Sequence, residues 1–132
     1  MDQESDYLVY LAVPYSHPSD LVQDERYRAA NRMASKLMQA GVPIFSPISH
    51  NRPIALDGGL PHDFAFWGKW NRACIDACRA MIVLRLAGWQ DSQGVTGERA
   101  YMDKLHRPVY FLDPYNDDQF RQVVEQLKGP KP

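Results

Sequence analysis

Short apolar runs alternate along this chain with segments whose apolar residues recur every three or four positions, and this alternation narrows the choice of fold more than any other feature. A four-to-six-residue apolar run reads as a strand buried on both faces, and a helix between two such runs lets them lie parallel. The runs Leu8–Val13, Val42–Phe45, Met81–Leu86 and Pro108–Leu112 are read as four strands. Pro14 ends the first, since it has no N–H for a ladder. Helices are expected from about Asp20 to Gly41, Asp63 to Cys78, Gly94 to His106 and Asn116 to Lys128. In the first helix, Asp20 is read as the cap with Gln23 completing a capping box; Tyr27, Ala30, Ala34 and Leu37 form the apolar stripe, and Gly41 stops it. Ser46 to His62, with its prolines and Gly58-Gly59, reads as a long irregular connection of the kind that serves as a lid or binding loop. The expected architecture is α/β, an open doubly wound parallel sheet of four to five strands flanked by helices, flavodoxin-like.

At 132 residues, with 45% hydrophobic and 23% charged, the chain has the size and composition of one packed domain spanning residues 1–132. Fifteen Lys and Arg against 16 Asp and Glu leave no positive field to attract polymeric nucleic acid, so a small-molecule ligand is the expected partner. No apolar run approaches the ~20 residues that span a bilayer. The acidic start Met1-Asp2-Gln3-Glu4-Ser5-Asp6 is unlike a secretory signal, and with only Cys74 and Cys78 the chain reads as cytoplasmic. Neither those cysteines nor His17, His50, His62 and His106 have metal-ligand spacing, so no metal and no cofactor is expected.

In a doubly wound sheet, ligands sit beyond the carboxyl ends of the strands. That directs attention to Pro14–Asp20, Ser46–His62 and Ala87–Glu98, with Pro14, Tyr15 and His17 as candidate substrate contacts in the first loop. On the helix from Gly94, the residues Val95, Tyr101, Met102 and Leu105 mark the buried side, and Arg99, Asp103 and Arg107 the wet one. Glu98 falls on the buried side, at the end facing the ligand edge. A carboxylate there needs a partner or a purpose, although an acid near a helix start also complements the dipole. Upstream, Asp91-Ser92-Gln93-Gly94-Val95-Thr96-Gly97 offers free amides and a hydroxyl to an anion. Ser92 as a plain helix cap is the competing reading. On the preceding helix Trp67, Asn71, Cys74 and Cys78 share one side, and Asp76 on the other is read as a surface partner of Arg72. The rings His50, His62, Phe64, Phe66, Trp67 and Trp70 are read as stacking on a base or packing at a subunit contact.

Tyr10-Leu11-Ala12-Val13-Pro14-Tyr15, then Cys78-Arg79-Ala80-Met81-Ile82-Val83-Leu84, then Ser92-Gln93-Gly94-Val95-Thr96-Gly97-Glu98, in this order, resemble the nucleoside 2-deoxyribosyltransferase-like superfamily over about residues 8 to 112. More narrowly the chain is similar to a group of short bacterial proteins in that superfamily with no assigned reaction. The resemblance implies that Glu98 attacks the anomeric carbon of a deoxyribosyl unit and that Tyr10 holds it. It implies that Ser92, where the transferases carry aspartate, contacts a 5′-phosphate, and that the active form is a homo-oligomer. Two departures stand against the pattern. Asn71 occupies a position near which these enzymes carry an aspartate, and Thr96-Gly97 replaces a glycine followed by a larger residue.

The leading expectation is therefore cleavage or transfer of the N-glycosidic bond of a deoxynucleoside or its 5′-monophosphate. Glu98 is the nucleophile and Tyr10 orients it. Ser92 and the amides of Gly94 and Val95 hold the phosphate or 5′ end, Asn71 binds sugar or base, and Asp91 and His17 are candidates for the leaving-group proton. The alternatives are a catalytically silent nucleotide-binding or sensing module, favoured by Asn71, and a regulatory or flavin-binding domain that fits the architecture alone.

Overall fold

The central strands are apolar on both faces and so must be covered twice. In the computed structural model, which describes residues 7–128, helices do this from both sides. The elements run β1 (Leu8–Ala12), α1 (Asp20–Gln39), β2 (Ile44–Phe45), α2 (Pro47–Gly58), α3 (Phe64–Asp76), β3 (Cys78–Leu84), a 3-10 turn (Trp89–Asp91), α4 (Gln93–Lys104), β4 (Val109–Leu112) and α5 (Asp117–Lys128). All four strands are parallel, in the order β2-β1-β3-β4. This is the flavodoxin-like open doubly wound fold. The acidic segment 1–6 lies outside the described residues. Among the described residues no helix is long and apolar enough to cross a membrane.

Strand order reverses between β1 and β3, so the crevice for a ligand opens past their carboxyl ends. Alternation along β1 decides what reaches it. Val9 and Leu11 join Leu37, Ile82, Leu84, Leu112 and Leu127 in the core under α1 and α5. Tyr10 and Ala12 point the other way, into a second core with Ile75, Met81, Val83, Val95 and Met102 under α3 and α4. A strand residue with an aromatic hydroxyl is thereby aimed at the helix that carries Glu98.

Several boundaries differ from the sequence expectation. The connection 46–62 is not irregular: it holds α2, entered at Ser46 with Pro47 in the first turn and ended by Gly59 at φ 66°. Proline at that first position costs no hydrogen bond, which makes Ser46-Pro47 a helix start. α1 is capped by Ser19, whose Oγ accepts from Val22 N at 3.4 Å; Asp20 is already helical and serves the dipole, and Gln23 Nε2 donates to His17 O at 2.6 Å. α3 stops at Asp76, and β3 starts at Cys78 rather than Met81 because Cys78 pairs with Leu8 at the far end of β1. Cys74 and Cys78 are thus on a helix and a strand, both free. Asp76 takes its hydrogen bond from Tyr101 OH at 2.6 Å, not from Arg72. Arg107 is no wet-face residue: its guanidinium donates to the carbonyls of Asp76 at 2.9 Å and Cys78 at 2.7 Å, where α3 hands over to β3.

Candidate active site

Gly88, at φ 86°, turns the chain out of the sheet into the 3-10 turn. The Arg26 guanidinium lies against it and donates to Ser16 O and Ala87 O, both at 3.0 Å, tying the loop after β1 to the loop after β3. α4 then starts at Ser92, whose Oγ accepts from Val95 N at 3.1 Å. Ser92 is therefore a helix cap. Its oxygen and the Val95 amide are engaged with each other, while the Ser92 hydroxyl proton and the Gly94 amide stay available to a ligand.

Six residues into α4, Glu98 is 8% exposed and meets β1 and α3. Tyr10 OH donates to its Oε2 at 2.7 Å, and Asn71 Nδ2 donates to the same oxygen at 3.2 Å. Asn71 is held in turn: its Oδ1 accepts from Asn51 Nδ2 at 3.0 Å, and Asn51 Oδ1 lies 2.8 Å from His50 Nδ1. A line of amides thus runs from the surface of α2 to the carboxylate. Both bonds to the carboxylate go to Oε2 and none from the described residues to Oε1, and Glu98 lines a cavity of about 400 Å³. One oxygen is fixed and the other is not.

Burial pushes the Glu98 carboxyl up to about 7, against the two hydrogen bonds, which hold it down. The Tyr10 phenol is raised well above its ordinary value, first by burial and then by the adjacent Glu98 charge, so it remains a donor. An asparagine at position 71 has a physical reason here. Its N–H₂ stabilises the ionised glutamate, whereas a second carboxylate at that distance would repel it.

Of the residues singled out in the sequence, Tyr15, Asn71, Asp91, Ser92, Gly94 and Glu98 line this cavity. Tyr10 stands behind Glu98, fully buried. Pro14 and Val95 are buried and off the wall. His17 is also off it: its Nδ1 accepts from Ser19 N at 2.9 Å before α1, beside a separate open groove. The rings divide. His62, Phe64 and Trp67 reach the cavity, whereas His50 and Trp70 stack on each other outside it with centroids 5.3 Å apart. The glycine at 97 also has a local explanation, since a Cβ there would come within 2.8 Å of the Phe64 ring. Sequence reasoning missed Asn51 and Arg52, which α2 places on the wall. Reading Ser46-Pro47 as a helix start would have put both on one surface with Pro47, Ile48 and Ala55. Among the described residues no group of three or more His, Cys, Asp or Glu is placed to hold a metal.

Fold and site together define an α/β domain with a buried, hydrogen-bonded carboxylate facing a cavity at the switch point of its sheet. Residues 7–113 match the family described as a domain of unknown function, DUF1937, and the chain belongs to that family. No curated protein matches it.

Proposed function

We propose that the protein breaks or exchanges the N-glycosidic bond of a deoxynucleoside or deoxynucleoside 5′-monophosphate, as a relative of the nucleoside 2-deoxyribosyltransferase-like superfamily. The observation that carries this reading is the setting of Glu98, a buried residue of the cavity wall whose Oε2 is held by Tyr10 and Asn71 while Oε1 has no hydrogen bond among the described residues. Oε1 attacks C1′ through an oxocarbenium-like transition state, and the electron pair of the C1′–N bond leaves with the base. The base takes a proton from Asp91, the candidate donor on the cavity wall. Water, or a second base, then attacks C1′ of the glycosyl ester and releases Glu98. Ser92 and Gly94 receive the 5′ end, and the rings of Phe64 and Trp67 cover the base. A cavity of about 400 Å³ lies within the range of small-molecule sites. A cytoplasmic setting and self-association are part of the same proposal. The first is supported by two unpaired thiols, and the second by Phe66 and Trp70, which are 46% and 44% exposed on α3.

The second reading, a binding or sensing module, is favoured by Asn71, which has no proton to give as an acid and whose carbonyl and amide are both committed. Chromatographic detection of free base after incubation with the four deoxynucleosides and their 5′-monophosphates separates the two. Base release that disappears in Glu98→Gln is the expected result. Tight binding without release from any of the eight compounds would replace the enzyme by the sensor.

A further inference from the structure

Among the described residues, Arg52 is the only lysine or arginine that lines the cavity. α2 presents it beside Asn51. Its Nη2 lies 3.2 Å from Asp24 Oδ1, and its guanidinium carbon lies 4.4 Å from the centre of the Tyr27 ring. That carboxylate is shared, because Asp24 Oδ2 also accepts from Arg28 Nε at 2.8 Å. Two guanidinium cations therefore share one carboxylate. The Arg52 side chain is only 18% exposed, and its Nη1 is buried with no hydrogen-bond partner, alone in this among the described side-chain nitrogens and oxygens. Leaving a charged donor buried and unpaired is costly, and on a residue that lines a cavity a ligand that draws the guanidinium round supplies the missing acceptor.

We propose that Arg52 reads the anionic group of the ligand: it takes the phosphate of a nucleoside 5′-monophosphate and makes the phosphorylated form preferred over the neutral nucleoside. The inference rests on the nucleotide reading of this cavity and narrows it. The amides at the start of α4 offer only partial charge, whereas a phosphate carries nearly two full negative charges and is best met by a guanidinium fork. Arg28 keeps Asp24 neutralised while the Arg52 fork turns, so that Nη1 gains a phosphate oxygen.

The test is a calorimetric titration of the full chain with the four deoxynucleosides, their 5′-monophosphates and inorganic phosphate, in wild type and Arg52→Gln. The expected result is a preference of at least about tenfold for monophosphate over nucleoside, lost in Arg52→Gln while nucleoside affinity stays within about twofold. Should Arg52→Gln fail to fold, Arg52→Lys keeps the charge without the fork and is expected to lose part of the preference. Equal affinity of wild type for both forms, or a preference untouched by the substitution, overturns the inference. The two readings fail separately. Base release at equal efficiency from both forms, unaffected by Arg52→Gln, keeps the glycosidic chemistry and removes the role of Arg52. Arg52-dependent binding of monophosphate or inorganic phosphate without base release keeps Arg52 and removes the chemistry. If none of the nine compounds binds, both fall.

Discussion

Replacing Glu98 by glutamine is expected to remove the chemistry and, at alkaline pH, to stabilise the fold, by an amount that follows from the surroundings of the carboxylate. The amide oxygen of glutamine takes the place of Oε2 and accepts from Tyr10 and Asn71, and the residue has no charge to desolvate. Burial holds the Glu98 carboxyl at about 7 instead of 4.5. That difference corresponds to about 3 kcal/mol between its ionised and protonated forms. Below 4.5 the group is protonated in folded and unfolded chains alike and adds no pH dependence. As pH rises from there to about 7, the unfolded chain gives up its proton first, so the wild type loses stability, and the loss is complete above that range. Glutamine has no such slope. Near pH 9 the variant should be more stable by about 3 kcal/mol, or roughly 10 °C in melting temperature for a domain of this size. Thermal unfolding followed by circular dichroism, with both proteins at about pH 5, 7 and 9, measures the gap as it opens. A gap that does not grow with pH, or a wild type that is the more stable near pH 9, would refute the claim that burial raises this carboxyl.

The rate of base release by the wild type should fall as pH drops below about 7, because the nucleophile must be ionised; a rate unchanged between pH 7 and about 5.5 speaks against Glu98 in that role. Tyr10→Phe removes a hydrogen bond that favours the ionised form, so the rising limb should move to higher pH and release at neutral pH should fall about tenfold to a hundredfold. Asn71→Asp sets a second carboxylate beside Oε2 in place of a donor, and the same limb should move up by about one pH unit or more. Gly97→Ala drives a methyl against Phe64 and should cost about 1 to 3 kcal/mol, read as a lower urea midpoint with unchanged slope.

What could be read from the sequence was whatever a local period reveals. The phase of α4 placed Glu98 among Val95 and Met102, and the phase of α3 placed Asn71 on the side opposite Lys69 and Arg72, as the structure has them. Strand positions followed from apolar runs, since a strand buried on both faces has little else to be. α2 escaped because Pro53, Gly58, Gly59 and Pro61 crowd one segment, and proline inside a helix is rare enough to argue against one. With α2 went Asn51 and Arg52, and with them the support behind Asn71 and the charged end of the cavity. The Asn51–Asn71 and Tyr101–Asp76 bonds join residues 20 and 25 positions apart. Only packing brings such pairs together, so no window along the chain could show them.

The outer strands of the sheet have a consequence for assembly. β2 is two residues long, and β4 is bracketed by Pro108 and Pro114. β2 therefore offers a second molecule almost no ladder to lengthen, and β4 offers four residues with a proline near either end, which limits edge-to-edge pairing. A specific oligomer is then expected to form through helical faces, leaving each sheet at four strands.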